Sequence, residues 1–278
     1  MGLGLGLRLG LGGAGVLGAA APVYDPDAAA WFAAVKASGS VFVPGAEDAY
    51  NKFFVQAKAD GNLAPFGNGL LLAFAGFTGL GGCFVPLKSR PNVVVLNDGF
   101  VSGHKSTNFL TGNGTASIGT GILNGDLFNQ NTGCLVAFIG AIGSPAGILL
   151  GSGAFSTSSS VLGGGAVAIS SVSEFSIRSG SSVLTHTINP NTLALLQNRA
   201  GGHTVLTNGA IKTDDYGKSN ANGNYIRFFS GADLSAPYGT VFNTASCSAG
   251  LMGCGSSLPN PSAFDAAVST LMTDLGVV

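Results

Sequence analysis

The chain has 278 residues, enough for one large domain with small additions. Charged residues make up only 9% and the net charge is −1, so there is no basic face of the kind nucleic acid requires. Such low charge, with 45 glycines and loops rich in Ser, Asn and Thr, rests solubility on neutral polar groups and suits a surface covered by partners.

Residues 1–22 alternate glycine with apolar residues, so Leu3, Leu5, Leu7, Leu9 and Leu11 would share one edge of an extended chain. Such a segment cannot form a core alone. It is expected to be a docking arm that adds to a neighbouring subunit, in a homo-oligomer that is most simply a trimer. An uncleaved signal or anchor, or packing on its own domain, are the alternatives. Ala19-Ala20-Ala21 imitates a cleavage site, whereas Arg8 interrupts the apolar run.

A helical hairpin is expected over 23–66. Asp25 can cap, Pro26 suits the first helical position, and Asp27 suits the positive end of the helix dipole. Trp31, Phe32 and Val35 give the first helix an apolar face. After Pro44, the spacing of Tyr50, Phe53, Phe54 and Ala57 gives the second an amphipathic stripe, most simply core against a β-domain.

From 67 to 235, Gly and Asn punctuate the chain every 8–12 residues, the rhythm of an antiparallel sandwich or barrel. Strands are predicted near 92–96, 135–140, 166–172, 175–178, 183–188, 192–199, 204–213 and 225–230. Asn208-Gly209 is the strongest hairpin signal and fits a type I′ turn. The longest uncharged stretch, between Asp126 and Glu174, is broken by Gly, Ser, Asn and Pro145, so it reads as strands and turns rather than a membrane span. Residues 236–278 read as a Gly/Ser/Cys-rich insertion followed by a helix over 261–275.

Four cysteines occur. Cys83 and Cys134 lie in apolar runs and read as buried thiols. Cys247 and Cys254 flank a short Gly-rich stretch, which leaves a local disulfide open. No cysteine–histidine spacing matches a zinc site.

Candidate chemistry is sparse. Glu174 stands alone, and Asp214 and Asp215 are adjacent, so on a strand they would face opposite ways. His104, His186 and His203 are far apart in sequence, and no Gly-x-Ser-x-Gly elbow occurs. Asn97, Asp98 and Asp126 are the best oxygen set for calcium, although such loop residues are usually turn formers. For stacking on a sugar, Trp31 falls in the helical neck, leaving Tyr216 and Tyr225 at loop edges. The expectation is a protein that is not an enzyme, with no catalytic residue, cofactor or metal.

Several short segments resemble tailed-bacteriophage virion proteins. Residues 24–32 (YDPDAAAWF) are similar to their helical lead, and 58–66 (KADGNLAPF) to the bend after their second helix. Residues 203–209 (HTVLTNG) resemble the hairpin of laminin-G-like modules, and 227–236 (RFFSGADLSA) a final strand and helix entry. The resemblance implies a mainly β fold: an antiparallel β-sandwich of the concanavalin A-like jelly-roll type, with an N-terminal helical hairpin and a C-terminal helix. It implies a virion location and a structural role in fibre, capsid decoration, tail or baseplate, with other phage virion proteins as partners. The stretch between Ala236 and Pro261 departs from that pattern. The alternative is a lectin-like module that binds a host surface glycan. A glycan hydrolase is disfavoured by the missing carboxylate pair.

Overall fold

The computed structural model describes residues 22–128, 132–142, 148–151, 166–171, 174–179, 182–199, 202–214, 225–232, 241–242 and 247–278. The Gly/Leu arm with Leu3, Leu5, Leu7, Leu9 and Leu11 lies outside them, as do Asp215 and Tyr216.

Helix α1 spans Pro26–Ala37 and α2 spans Ala46–Ala59. The Asp25 carboxylate accepts from the backbone N–H of Asp27 at 2.9 Å and of Ala28 at 3.4 Å, satisfying donors that a helix start leaves open. Lys58 of α2 reaches the carboxylates of Asp25 at 2.5 Å and Asp27 at 3.0 Å, tying the end of one helix to the start of the other. That hydrogen bond from Lys58 holds the Asp25 carboxyl below the usual carboxylate range. Trp31 is the hub of the neck, with ring centroids 4.7 Å from Tyr50, 5.5 Å from Phe42 and 5.8 Å from Phe32. The Tyr50 hydroxyl donates to the Ala75 carbonyl at 2.7 Å, and Tyr50, Phe53, Phe54 and Ala57 are all buried.

The strands follow in chain order: β1 Leu70–Ala73, β2 Pro86–Ser89, β3 Leu96–Asp98, β4 Ser117–Leu123, β5 Cys134–Ile142, β6 Ile148–Gly151 and β7 Ala166–Ser171. Then come β8 Glu174–Ser179, β9 Ser182–Thr187, β10 Thr192–Arg199, β11 Gly202–Thr207, β12 Ala210–Asp214, β13 Tyr225–Phe228 and β14 Cys247–Gly255. One eight-stranded sheet runs β12-β11-β10-β5-β14-β1-β2, with the short strand Leu110–Thr111 also on β14. A seven-stranded sheet runs β9-β8-β7-β6-β13-β4-β3. Every pairing in them is antiparallel. The fold is therefore mainly β, an antiparallel sandwich compatible with a jelly roll, with an N-terminal helical hairpin and a C-terminal helix. Within 90–230, the described helix is brief: two single turns, Ser102–His104 and Asn124–Leu127. Asn208 and Gly209 both have positive φ, 52° and 73°, and join β11 to β12 as the I′ hairpin that their sequence signals.

The segment expected to be an insertion supplies the central strand instead. All nine residues of β14 are buried, between β5 and β1. Helix α3, Pro261–Asp274, follows it, capped by Asn260 and packed through Phe264, Val268, Leu271 and Met272. The Phe264 ring lies 6.1 Å from Phe53 and 5.5 Å from Phe66, so α3 and α2 form one layer over this sheet. Covered on both faces, β14 loses the alternation that marks a half-exposed strand. Its glycines are needed for close approach. A Cβ at Gly253 would lie 2.7 Å from Leu71 Cδ1 and 3.0 Å from the Leu70 carbonyl, and one at Gly255 would lie 2.8 Å from the Pro65 carbonyl. Cys247 and Cys254 sit on this one strand seven residues apart, about 23 Å along it, beyond disulfide reach. All four cysteines are free and buried, and burial pushes the Cys254 thiol up to about 12.

The Gly253→Val substitution should therefore lower stability by roughly 1–3 kcal/mol through overpacking. In urea denaturation the midpoint should fall with the slope unchanged. A midpoint equal to that of the parent protein would show that the layers are not held at this distance.

Candidate functional site

The chemically distinctive feature is a polar row across β3, β4 and β13. Directly opposed residues share a face of a sheet. Ile118 pairs with Phe228, both buried, and this apolar row faces the core. The other face therefore carries Tyr225 opposite Leu123, then Arg227, Gly119 and Leu96 in one rank, then Ser117 opposite Asp98. By strand rise along the unbulged strands β13 and β3 this row runs about 13 Å.

Arg227 is the anchor. Its side chain is only 2% exposed, whereas that of its partner Asp98 is 54% exposed. The guanidinium donates to Asp98 Oδ2 and, at 2.5 Å, to the Ser117 hydroxyl, which itself donates to Asp98 Oδ2 at 3.2 Å. Two donors thus fix one carboxylate oxygen, and the carboxylate faces solvent on rigid strands.

A bulge sets the spacing of the row. Tyr225 and Arg227 are two residues apart but oppose Leu123 and Gly119, four apart, and Gly121 between them has φ +64°. The Thr120 hydroxyl donates to the Ile226 carbonyl at 2.5 Å and accepts from the Ile122 N–H at 3.2 Å, holding the bulge shut.

The loop beyond β3 satisfies itself. The Asn97 amide donates to the Phe100 carbonyl and accepts from the Phe100 N–H, both at 2.8 Å. Asn113 Oδ1 accepts three bonds of 2.9 Å, from the N–H and hydroxyl of Thr115 and the N–H of Ala116. The calcium set is not brought together. Asn97 is occupied by its own turn and Asp98 by Arg227. Asp126 pairs with Arg90 at 2.7 Å beyond the opposite end of β4. Among the described residues no group of three His, Cys, Asp or Glu side chains could hold a metal.

The remaining candidates are dispersed. Glu174 opens β8, and its neighbours β7 and β9 contain no Asp or Glu. His186 and His203 stand on different sheets, and His104 is in the loop after β3. Asp214 ends the edge strand β12. Trp31 is buried in the neck. No described helix is long and apolar enough to cross a membrane. Sequence reasoning named Asp98 and Tyr225 but missed Arg227, Ser117 and Gly119. The available signal was an arginine inside the apolar strand 225–229.

Lys105 is a second unusual group. Its ammonium donates to the carbonyls of Phe77 at 2.7 Å, of Thr107 at 3.3 Å and of Ser106, and lies 4.7 Å from the centre of the Phe77 ring. Burial pulls its pKa down to about 8. The side chain staples the loop to the helical neck.

No family model and no curated protein matches this chain. Solved structures are similar in part. A Trypanosoma rangeli sialidase mutant displaying trans-sialidase activity has a TM-score of 0.45 and 12% identity, over 81% of this chain and 39% of its own. A mutant NanB sialidase from Streptococcus pneumoniae has a TM-score of 0.43 and 14% identity, over 59% and 27%. The CBM40 module of a Ruminococcus gnavus IT-sialidase, bound to α2,3-sialyllactose, has a TM-score of 0.36 and 13% identity, over 50% and 82%. The chain thus spans less than half the length of the two sialidases. These findings correct the expectation of a phage virion structural protein: these solved structures are sialidases and a sialidase module.

Two outcomes test this geometry. Removing Asp98 takes a carboxylate away from the buried Arg227, whereas removing Arg227 leaves a carboxylate that water can solvate. Asp98→Ala should cost roughly 2–3 kcal/mol, below the usual 3–5 for a fully buried pair because half of the carboxylate is in water, and Arg227→Met should cost less. Equal losses in denaturant titrations would refute the asymmetry.

Lys105 gives a pH signature. Its folded pKa of about 8 lies below its ordinary value of 10.5, so between these the unfolded chain binds the extra proton. The parent protein should gain stability relative to Lys105→Met as pH rises from 8 to 10.5, with a constant difference below 8. A flat difference across that window would mean that the ammonium is not desolvated.

Proposed function

We propose that this chain is a non-catalytic carbohydrate-binding module with a lectin-like sandwich, and that a sugar is held by the exposed Asp98 carboxylate and the half-buried Tyr225, which the buried Arg227, Ser117 and Gly119 position from beneath. The observation that carries the reading is the inequality within the ion pair: a guanidinium 2% exposed holds a carboxylate 54% exposed. Kept at the surface, the carboxylate avoids most of the desolvation cost of a fully buried pair and stays within reach of a ligand. Here the carboxylate stands at the surface with Oδ2 fixed, ready to accept from a ligand through a charge-assisted bond. Gly119 keeps the middle of the row low, and the half-buried Tyr225 offers a ring at its end. A few polar groups placed beside an aromatic ring suit a hydroxyl-rich ligand.

The same described residues support the non-catalytic part of this reading. Glycoside hydrolysis commonly requires two carboxyl groups flanking the bond, roughly 5–9.5 Å apart. Asp98 is accompanied by Ser117 and Arg227, and Glu174 has no acidic residue on the strands beside it.

The test is a broad glycan array probed with the purified full chain, followed by calorimetry on the hits. Tyr225→Ala should weaken binding about tenfold, the equivalent of about 1.4 kcal/mol, without lowering the melting temperature. No reducing ends should be released on prolonged incubation. An array without hits, or hits indifferent to both Tyr225→Ala and Asp98→Asn, would reject this site.

A further inference from the structure

Resting on the glycan-binding reading, we infer that the site selects neutral, hydroxyl-rich sugars and rejects acidic ones, sialylated glycans included. The argument is electrostatic and concerns the order in which a ligand meets the charges. Strands β3, β4 and β13 carry two charged side chains between them, Asp98 and Arg227. Arg227 is buried and engaged with Asp98 and Ser117. The group exposed to an approaching ligand is the carboxylate.

The neighbouring described cations are turned elsewhere. Lys105 is drawn onto the carbonyls of Phe77, Ser106 and Thr107. Arg90 pairs with Asp126 and donates to the Gly121 carbonyl at 3.3 Å, toward the other end of β4. Asp98 is paired with the buried Arg227, and neither Lys105 nor Arg90 adds a second cation to it.

An ionised carboxylate only accepts hydrogen bonds. A sugar hydroxyl has a proton to donate to it; the carboxylate of a sialic or uronic acid at neutral pH has none. An acidic sugar could reach Arg227 only by displacing Asp98, leaving two like charges within a few ångströms. Rejection is therefore built from a repulsive element as well as an attractive one. The selectivity is the reverse of what a bare arginine at this position would impose.

The experiment uses the full chain and an array of matched pairs, each neutral oligosaccharide beside its acidic counterpart, including lactose with α2,3-sialyllactose, with titration calorimetry on every pair that binds. The neutral member should bind at least about tenfold tighter. In Asp98→Asn the carboxylate becomes an amide of similar shape, and the exposed negative charge is gone. Neutral binding should fall, and the acidic member should draw level or overtake it. Parent protein that binds the acidic members as tightly as the neutral ones, or tighter, overturns the selectivity while leaving glycan binding intact. So does an Asp98→Asn protein with an unchanged ranking. Failure of every pair to bind overturns the glycan-binding reading itself. The parent ranking decides the sign, so the result does not depend on how well the variant folds.

Discussion

The architecture depends on how closely β1, the segment 64–68 and α3 can approach β14, and a run of small residues sets that distance. Gly250, Gly253 and Gly255 of β14 face Met272, Leu71 with Phe66, and the Pro65 carbonyl at separations that leave little or no room for a Cβ. Gly69, just before β1, is tighter still: a Cβ there would fall 2.0 Å from the Cys254 carbonyl. Glycine weakens an isolated strand, so this segment is a poor strand by propensity. It is stable because covering it on both faces buries Leu251, Met252 and Cys254 among Phe138, Leu71 and the helices. Packing overrides local preference here, and the central strand is the last strand in chain order.

The helical neck is specified locally and then locked by long-range contacts. Asp25 caps its own helix and also receives Lys58 from the next, so one carboxylate serves the helix start and the hairpin angle. Lys36 and Glu47 pair at 2.6 Å at the other end of the hairpin, though exposed enough to add little to stability. The weight falls on the aromatic cluster around Trp31, whose indole N–H donates to the Val85 carbonyl at 3.2 Å. Burying a side chain of this size outweighs a surface ion pair.

The site obeys a different logic. Its strands lie in the seven-stranded sheet, where Arg227 and Ser117 are buried and persist because they are hydrogen-bonded to each other and to Asp98. A buried arginine there is costly unless paired. The fold pairs it with a carboxylate at the water boundary, which converts a stability requirement into an oriented surface acceptor. The bulge at Gly121 then determines how far Tyr225 stands from that acceptor.

The sequence by itself determined the local elements. Residues 25–27 announced a helix start, Asn208-Gly209 its hairpin, the 50–57 stripe a buried face, and regular turn spacing an antiparallel sandwich, because capping, turn chemistry and periodicity act over a few residues. Asp98 and Tyr225 were legible as candidates from residue type and position at strand ends, but for two separate roles. Only the tertiary structure decided that they share a face. That depends on the pairing of β3 with β4 and of β4 with β13, strands separated by about a hundred residues, and on a bulge that no local pattern shows. The same holds for Cys247–Gly255: a glycine-rich run carries no period, so its place at the centre of the sheet is decided by what packs on both sides of it.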